Sequence, residues 1–256
     1  MSATREDLLQ ELGLTPVWRL RTPATSQRDQ PAAVPAAQLP APGPVTVRGL
    51  PKVPPLDARA AHIATLEWPL LKQSVAGCVA CPLHTGRTKT VFGVGDEAAD
   101  WLFVGEGPGA EEDAKGEPFV GQAGKLLDNM LAAIKLKRGH NVYIANVVKC
   151  RPPGNRNPEP GEAAQCEPYL HRQIALIKPR LIIALGKVAA VNLLKRDAAV
   201  ASMRGKIHQY QGIPLIVTYH PAYLLRSLPE KAKAWTDLCF AVETMQGLQS
   251  GQPAPI

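Results

Sequence analysis

Apolar residues along this chain follow two rhythms. Four short runs, Trp101–Val104, Val142–Val148, Leu181–Leu185 and Pro214–Thr218, are apolar with little alternation, the pattern of strands buried on both faces. Around them apolar residues recur every three or four positions, which predicts helices over 61–75, 122–135, 160–177, 187–196 and 229–247. The second of these carries Leu126, Leu127, Met130, Leu131 and Ile134 on one stripe. Strands that alternate with helices specify a parallel sheet covered on both faces. The expected fold class is α/β, a three-layer α/β/α sandwich with a central, mainly parallel four-stranded sheet.

Neither rhythm is present at the N-terminus. Residues 31–55 hold eight prolines among alanine and valine, a composition that stays extended and builds no core. Ahead of them Leu8, Leu9 and Leu12 can form one short helix, stopped by Gly13 and Pro16 and too short to be stable alone. The division expected is therefore a disordered Pro/Ala-rich leader at 1–58 and one folded domain at 59–256. A sticky motif on a tether suits docking to a partner protein, an inert leader, or a segment that folds back on the domain. Gln10-Glu11-Leu12-Gly13-Leu14 loosely resembles peptides that bind the bacterial sliding clamp.

Charge adds a partner class. The 256-residue chain is 45% apolar and carries a net charge of +7. Residues 1–58 hold six Lys and Arg against five Asp and Glu, and the remainder 23 against 17. A polyanion site therefore belongs on the folded part. No run approaches the ~20 apolar residues of a membrane span, and the first residues lack the basic start and apolar core of a signal peptide. No membrane is expected, and a cytosolic location follows.

In a reducing compartment grouped cysteines are read first as metal ligands. Cys78 and Cys81 form a C-x2-C pair, and Cys150 and Cys166 lie far downstream with fifteen residues between them. Mixed close and distant spacing, with Pro82 and Pro152-Pro153 beside the ligands, favours a [4Fe-4S] cluster. Zinc and unliganded thiols are the alternatives. Cys239, in the last predicted helix, reads as a core thiol.

Candidate chemistry gathers at the carboxyl ends of the strands, where open α/β sheets bind ligands. The first strand runs into Gly105-Glu106-Gly107-Pro108-Gly109, followed by Glu111, Glu112 and Asp113 and by Pro118-Phe119-Val120-Gly121. The stretch is neither a Walker phosphate loop nor a dinucleotide fingerprint. Asn146 lies toward the carboxyl end of the second strand and His220 follows the fourth. Each has a plain reading as well: a Gly-rich turn, a core phenylalanine, a turn asparagine and a structural histidine.

Taken together and in this order, GEGPG, PF, NVVKC, HPAYLLR and the C-x2-C…C-x15-C spacing resemble a family 4 uracil-DNA glycosylase, the iron–sulfur type of bacteria and archaea. The resemblance spans roughly residues 70–245 and leaves residues 1–58 outside it. It implies a monofunctional hydrolase of base-excision repair that acts as a monomer on uracil in single- or double-stranded DNA and leaves an abasic site. The base must rotate out of the stack into a pocket that stacks its face and reads its edge. Phe119 would supply the stacking face. Asn146 would pair with uracil O4 and N3 and reject cytosine, whose edge is reversed. His220 would donate to O2 as charge develops there.

Gly107 stands where the best-known uracil glycosylases carry a water-orienting aspartate, which leaves Glu106 as the principal catalytic carboxylate and Glu112 as the other candidate, with backbone near Gly107 able to hold the water. Leu224 would be the wedge that enters the gap left by the base, and Arg226 would hold a phosphate. Lys149, Arg151 and Arg156 would track the DNA backbone, unless they are only solvated loop charges. Cys78, Cys81, Cys150 and Cys166 would hold the cluster as a structural staple. Some relatives attach covalently to DNA through a histidine between the last two cysteines. None occurs here, so ordinary turnover is expected. The rival readings are a non-enzymatic, cluster-bearing nucleic-acid-binding module and a cluster redox protein, the latter disfavoured by the lack of a second cluster or a flavin signature.

Overall fold

A computed structural model describes residues 56–251. The expectations for the Pro/Ala-rich leader and its clamp-like peptide lie outside the described residues, except that the first helix takes up residues 56–58.

The four apolar runs form the parallel core of one sheet: β2 (Trp101–Gly105), β3 (Val142–Asn146), β4 (Leu181–Leu185) and β6 (Ile213–Thr218), lying side by side as β3-β2-β4-β6. Two short antiparallel strands close the edges, β1 (Val94–Gly95) on β3 and β5 (Ile207–Tyr210) on β6. Neither edge strand is among the four expected. β1 has two residues, and β5 carries polar His208 and Gln209, so neither shows an apolar run.

Alternate residues of the central strands face opposite layers. Leu102, Val104, Tyr143, Ala145, Ile182, Ala184, Leu215 and Val217 point into one apolar layer, and Trp101, Phe103, Val142, Ile144, Leu181, Ile183 and Ile216 into the other. The first is covered by α1 (Leu56–Ala64), α2 (Trp68–Ala76), α5 (Pro160–Ile177) and α6 (Gly186–Leu194), through residues such as Ile63, Leu71, Ile174 and Ala190. The second is covered by α4 (Gln122–Ala133) and α9 (Glu230–Ser250), through Leu127, Leu131, Ala241 and Met245. The result is three layers, as the run pattern predicts. The short helices α3 (Ala110–Lys115), α7 (Val200–Met203) and α8 (Pro221–Arg226) complete the set.

Two boundaries differ from expectation. The helix expected over 61–75 is two helices, because Pro69 in the first turn of α2 lacks the N–H that would continue a preceding helix. β3 stops at Asn146 rather than Val148, although Val147 and Val148 still donate main-chain N–H groups to Gly105 and Glu106.

The chain leaves β2 for β3 on one side and later returns to place β4 on the other side of β2. That reversal makes a crevice at the carboxyl end of β2, walled by the segments that leave β2, β3, β4 and β6.

Candidate active site

A cleft of about 640 Å³ opens at this crevice. Glu106, Gly107, Glu112, Phe119, Asn146, Arg156, His220 and Arg226 all line it, so most of the non-metal residues singled out from the sequence share one cavity. Gly186, Tyr219 and Tyr223 line it too.

Phe119 is buried and adopts a positive φ of 54°, which is unfavourable for a bulky residue and needs external support. Support comes from both sides of its peptide. Arg138 donates to the carbonyls of Pro118 and Phe119, each at 2.8 Å, while its Nε and Nη2 bond Asp128. On the amide side Glu112 Oε1 accepts from Val120 and Gly121 at 2.9 and 3.0 Å. The ring is thereby set 5.4 Å from the His220 ring, tilted by 30°.

Asn146 ends β3 opposite Gly105 of β2. Its side chain is buried, and Oδ1 has no hydrogen-bond partner among the described residues. A buried polar atom so orphaned costs free energy unless something else satisfies it. The glycine makes the arrangement possible: a Cβ at Gly105 would lie 2.5 Å from Asn146 Oδ1 and 2.5 Å from Phe119 Cζ. The amide and the ring therefore meet over bare backbone.

His220 caps α8, its Nδ1 accepting from the Ala222 N–H at 3.1 Å. That bond leaves Nε2 to carry the proton and to donate. Burial, reinforced by the nearby Arg226 charge, pushes its pKa down to about 4, so the ring is neutral at ordinary pH. Gly186, the first residue after β4, has φ +87°, and a Cβ there would come within 2.9 Å of His220 Cβ. Of the four strand ends, only that of β4 had gone unread for chemistry in the sequence, and the signal, a glycine directly after a buried strand, was present.

The two glutamates differ. Glu112 is committed by three main-chain N–H groups, those of Val120, Gly121 and Gly109, and so ties the Gly105–Gly109 loop to the segment carrying Phe119. Glu106 makes no side-chain hydrogen bond among the described residues, and burial alone raises its pKa. It is the carboxylate in the cleft left free to act on something else.

Three expectations need correction. Leu224 is 1% exposed and packs with Met130, Ala234 and Leu238, so it is core and no wedge. The residues that follow His220 form α8, whose outward side chains are Tyr223, Leu225 and Arg226. Lys149 is buried and not free to track DNA. Arg151 and Arg156 do lie toward the surface, the latter gripped by Glu162 at 2.7 and 2.9 Å. Cys239, expected in the core, is only half-buried. Arg138 was missed altogether, because nothing local to residue 138 shows which carbonyls it will reach.

On the other side of β3's end, Cys78, Cys81, Cys150 and Cys166 line one small void with Arg87, Lys149 and Tyr169. Among the described residues no three His, Cys, Asp or Glu side chains close on one point as ligands of a single ion do. Burial raises the pKa of Cys81 and Cys150 and pushes Cys166 up to about 12, so these three thiols are protonated when metal-free. Yet N–H groups point at the sulfurs: Arg87 at Cys150 (3.2 Å), Arg59 at Cys78 (3.5 Å) and the Lys149 main chain at Cys166 (3.2 Å). Two guanidiniums and one main-chain N–H directed at the sulfurs form a donor set suited to a thiolate-bound metal group of net negative charge.

This fold and cleft define a class. The family model described as "Uracil DNA glycosylase superfamily" matches residues 92–239. The chain is 46% identical over 161 residues to the type-4 uracil-DNA glycosylase of Archaeoglobus fulgidus, covering 60% of this chain and 80% of that protein. It is 46% identical over 160 residues to that of Thermotoga maritima (62% and 83%) and 43% identical over 178 residues to that of Pyrobaculum aerophilum (66% and 89%). The chain belongs to the uracil-DNA glycosylase superfamily and, within it, to the type-4 family.

Proposed function

We propose that this chain is a monofunctional uracil-DNA glycosylase of base-excision repair, which hydrolyses the bond between uracil and deoxyribose and leaves an abasic site. The observation that carries this reading is the orphaned Asn146 Oδ1, buried beside the Phe119 ring and the neutral His220 in one cleft. An extruded uracil satisfies it: N3–H donates to Oδ1, the amide NH₂ donates to O4, and the ring face lies on Phe119. His220 Nε2–H donates to O2, stabilising the uracil anion as it leaves.

Glu106, raised in pKa and without a partner, is the carboxylate that positions water and offsets the positive charge developing on the sugar. Glu112 is assigned to holding the two loops together. The apolar side chains offered to the vacated stack are Leu225 and Tyr223, with Arg226 beside them for a phosphate. No step is given to a lysine nucleophile, so lyase action is not part of the reading.

Cys78, Cys81, Cys150 and Cys166 are the residues that would hold a [4Fe-4S] cluster, which when bound supplies a covalent clamp between the segment after α2, the end of β3 and α5. Residues 1–58 are proposed as a leader for docking a replication or repair protein, and 59–256 as the catalytic domain, acting as a monomer in the bacterial cytosol or nucleoid. No described helix is long and apolar enough to cross a membrane.

The test is an oligonucleotide carrying one uracil, single-stranded or opposite guanine. Alkali-labile cleavage at that position, with free uracil released, is expected from the wild type and not from Glu106→Gln. A gel shift without cleavage would favour the non-enzymatic binding module.

A further inference from the structure

Lys149 takes no part in the chemistry proposed for the cleft, yet it sits between the two sites. Its side chain, 1% exposed, doubles back so that Nζ donates to the main-chain carbonyl of Asn146 at 2.8 Å and to Gln173 Oε1 at 2.6 Å. No carboxylate pairs with it among the described residues. A buried ammonium without a counter-charge is costly, and a methionine of similar length would fill the same space without that cost. Its main-chain N–H bonds Cys166 Sγ, and the next residue is Cys150. The carbonyl it grips belongs to the residue whose amide oxygen is left bare in the cleft.

We propose that Lys149 is a positioning residue for base reading: its ammonium, held between Gln173 and the end of β3, grips the Asn146 carbonyl and thereby aims the Asn146 amide at the uracil edge. Gln173 keeps the ammonium in place from α5, and is itself fixed by donating to the Phe92 carbonyl at 2.9 Å. A metal group held by the four thiolates would supply the counter-charge that the described side chains do not. The aim of the base-reading amide thus depends on a residue outside the base slot. This inference rests on the glycosylase reading.

The experiment is a double-variant cycle in the full-length, iron-loaded protein, using Lys149→Met, Asn146→Ala and the pair. Single-turnover excision is measured against DNA concentration on a uracil:guanine duplex, with iron content read from visible absorbance. Lys149→Met is expected to retain iron, to lower the maximal rate by at least about tenfold and to leave the half-saturating DNA concentration within about twofold. The pair is expected to be no slower than Asn146→Ala alone, because both changes remove the same interaction. Additive losses, or an unchanged rate in Lys149→Met, would overturn the proposal. Should Lys149→Met lose iron or fail to fold, Gln173→Leu enters the same cycle, with a smaller loss that again vanishes on Asn146→Ala; additivity there overturns it equally. A wild type that releases no uracil overturns the glycosylase reading, whereas wild-type excision with additive losses overturns only this role of Lys149.

Discussion

Glu106, in the loop after β2, and Glu112, in α3, enter the cleft with opposite surroundings, one without a hydrogen-bond partner among the described residues and one satisfied by three amides. In the proposed reaction Glu106 acts ionised, and burial raises its pKa, so activity is expected to be lost as pH falls through a value above that of an ordinary glutamate. His220, with a pKa of about 4, stays neutral over that span and adds no second limb until lower pH. A pH profile of single-turnover excision should therefore show one acid limb, with Glu106→Gln abolishing excision and His220→Ala slowing it by about 10²–10³-fold. The same contrast separates two adjacent leucines. Leu224→Ala should destabilise the fold by about 2–5 kcal/mol in denaturant unfolding. Leu225→Ala should leave stability unchanged and slow excision from duplex more than from single strands. The sequence showed which residue types stood at three strand ends, because parallel strands bring their following loops to one edge. It did not show that Leu224 faces inward, which depends on how α8 packs against α4 and α9. Nor did it show that Lys149 is buried, which depends on Gln173 of α5.

Phe119 owes its place to elements distant in sequence: a guanidinium from beyond α4 holds its carbonyl and a carboxylate from α3 holds the following amides. Arg138→Met should release the positive φ and weaken stacking. We expect it to lower kcat/KM for uracil excision by about tenfold and shift Tm by little, since Arg138 is partly exposed. Gly105→Ala should be more severe in activity, because its Cβ must displace either the Asn146 amide or the Phe119 ring. The buried strands and long helices were readable from periodicity alone. The edge strands were not, since two or four residues with polar members carry no rhythm. The split between α1 and α2 was signalled by Pro69 and went unused.

Across the whole molecule the end of β3 separates two sites, the cleft on one side and the four sulfurs on the other, with Asn146 and Cys150 only four residues apart. With the proposed cluster bound, Cys150→Ala or a chelator should lower Tm and eliminate the visible absorbance. The positive surplus of the folded part predicts that DNA affinity falls linearly with the logarithm of salt concentration, and Arg226→Ala should lower that slope by about one. The most direct test of the account is the single-turnover excision rate of the wild type on one duplex sequence carrying either uracil or cytosine opposite guanine, beside the same rates for Asn146→Ala. Fast release of uracil and none of cytosine by the wild type, with uracil release lost in the variant, is the predicted result. Equal handling of the two bases, or a variant as fast as the wild type, would contradict a slot that reads the base through Asn146.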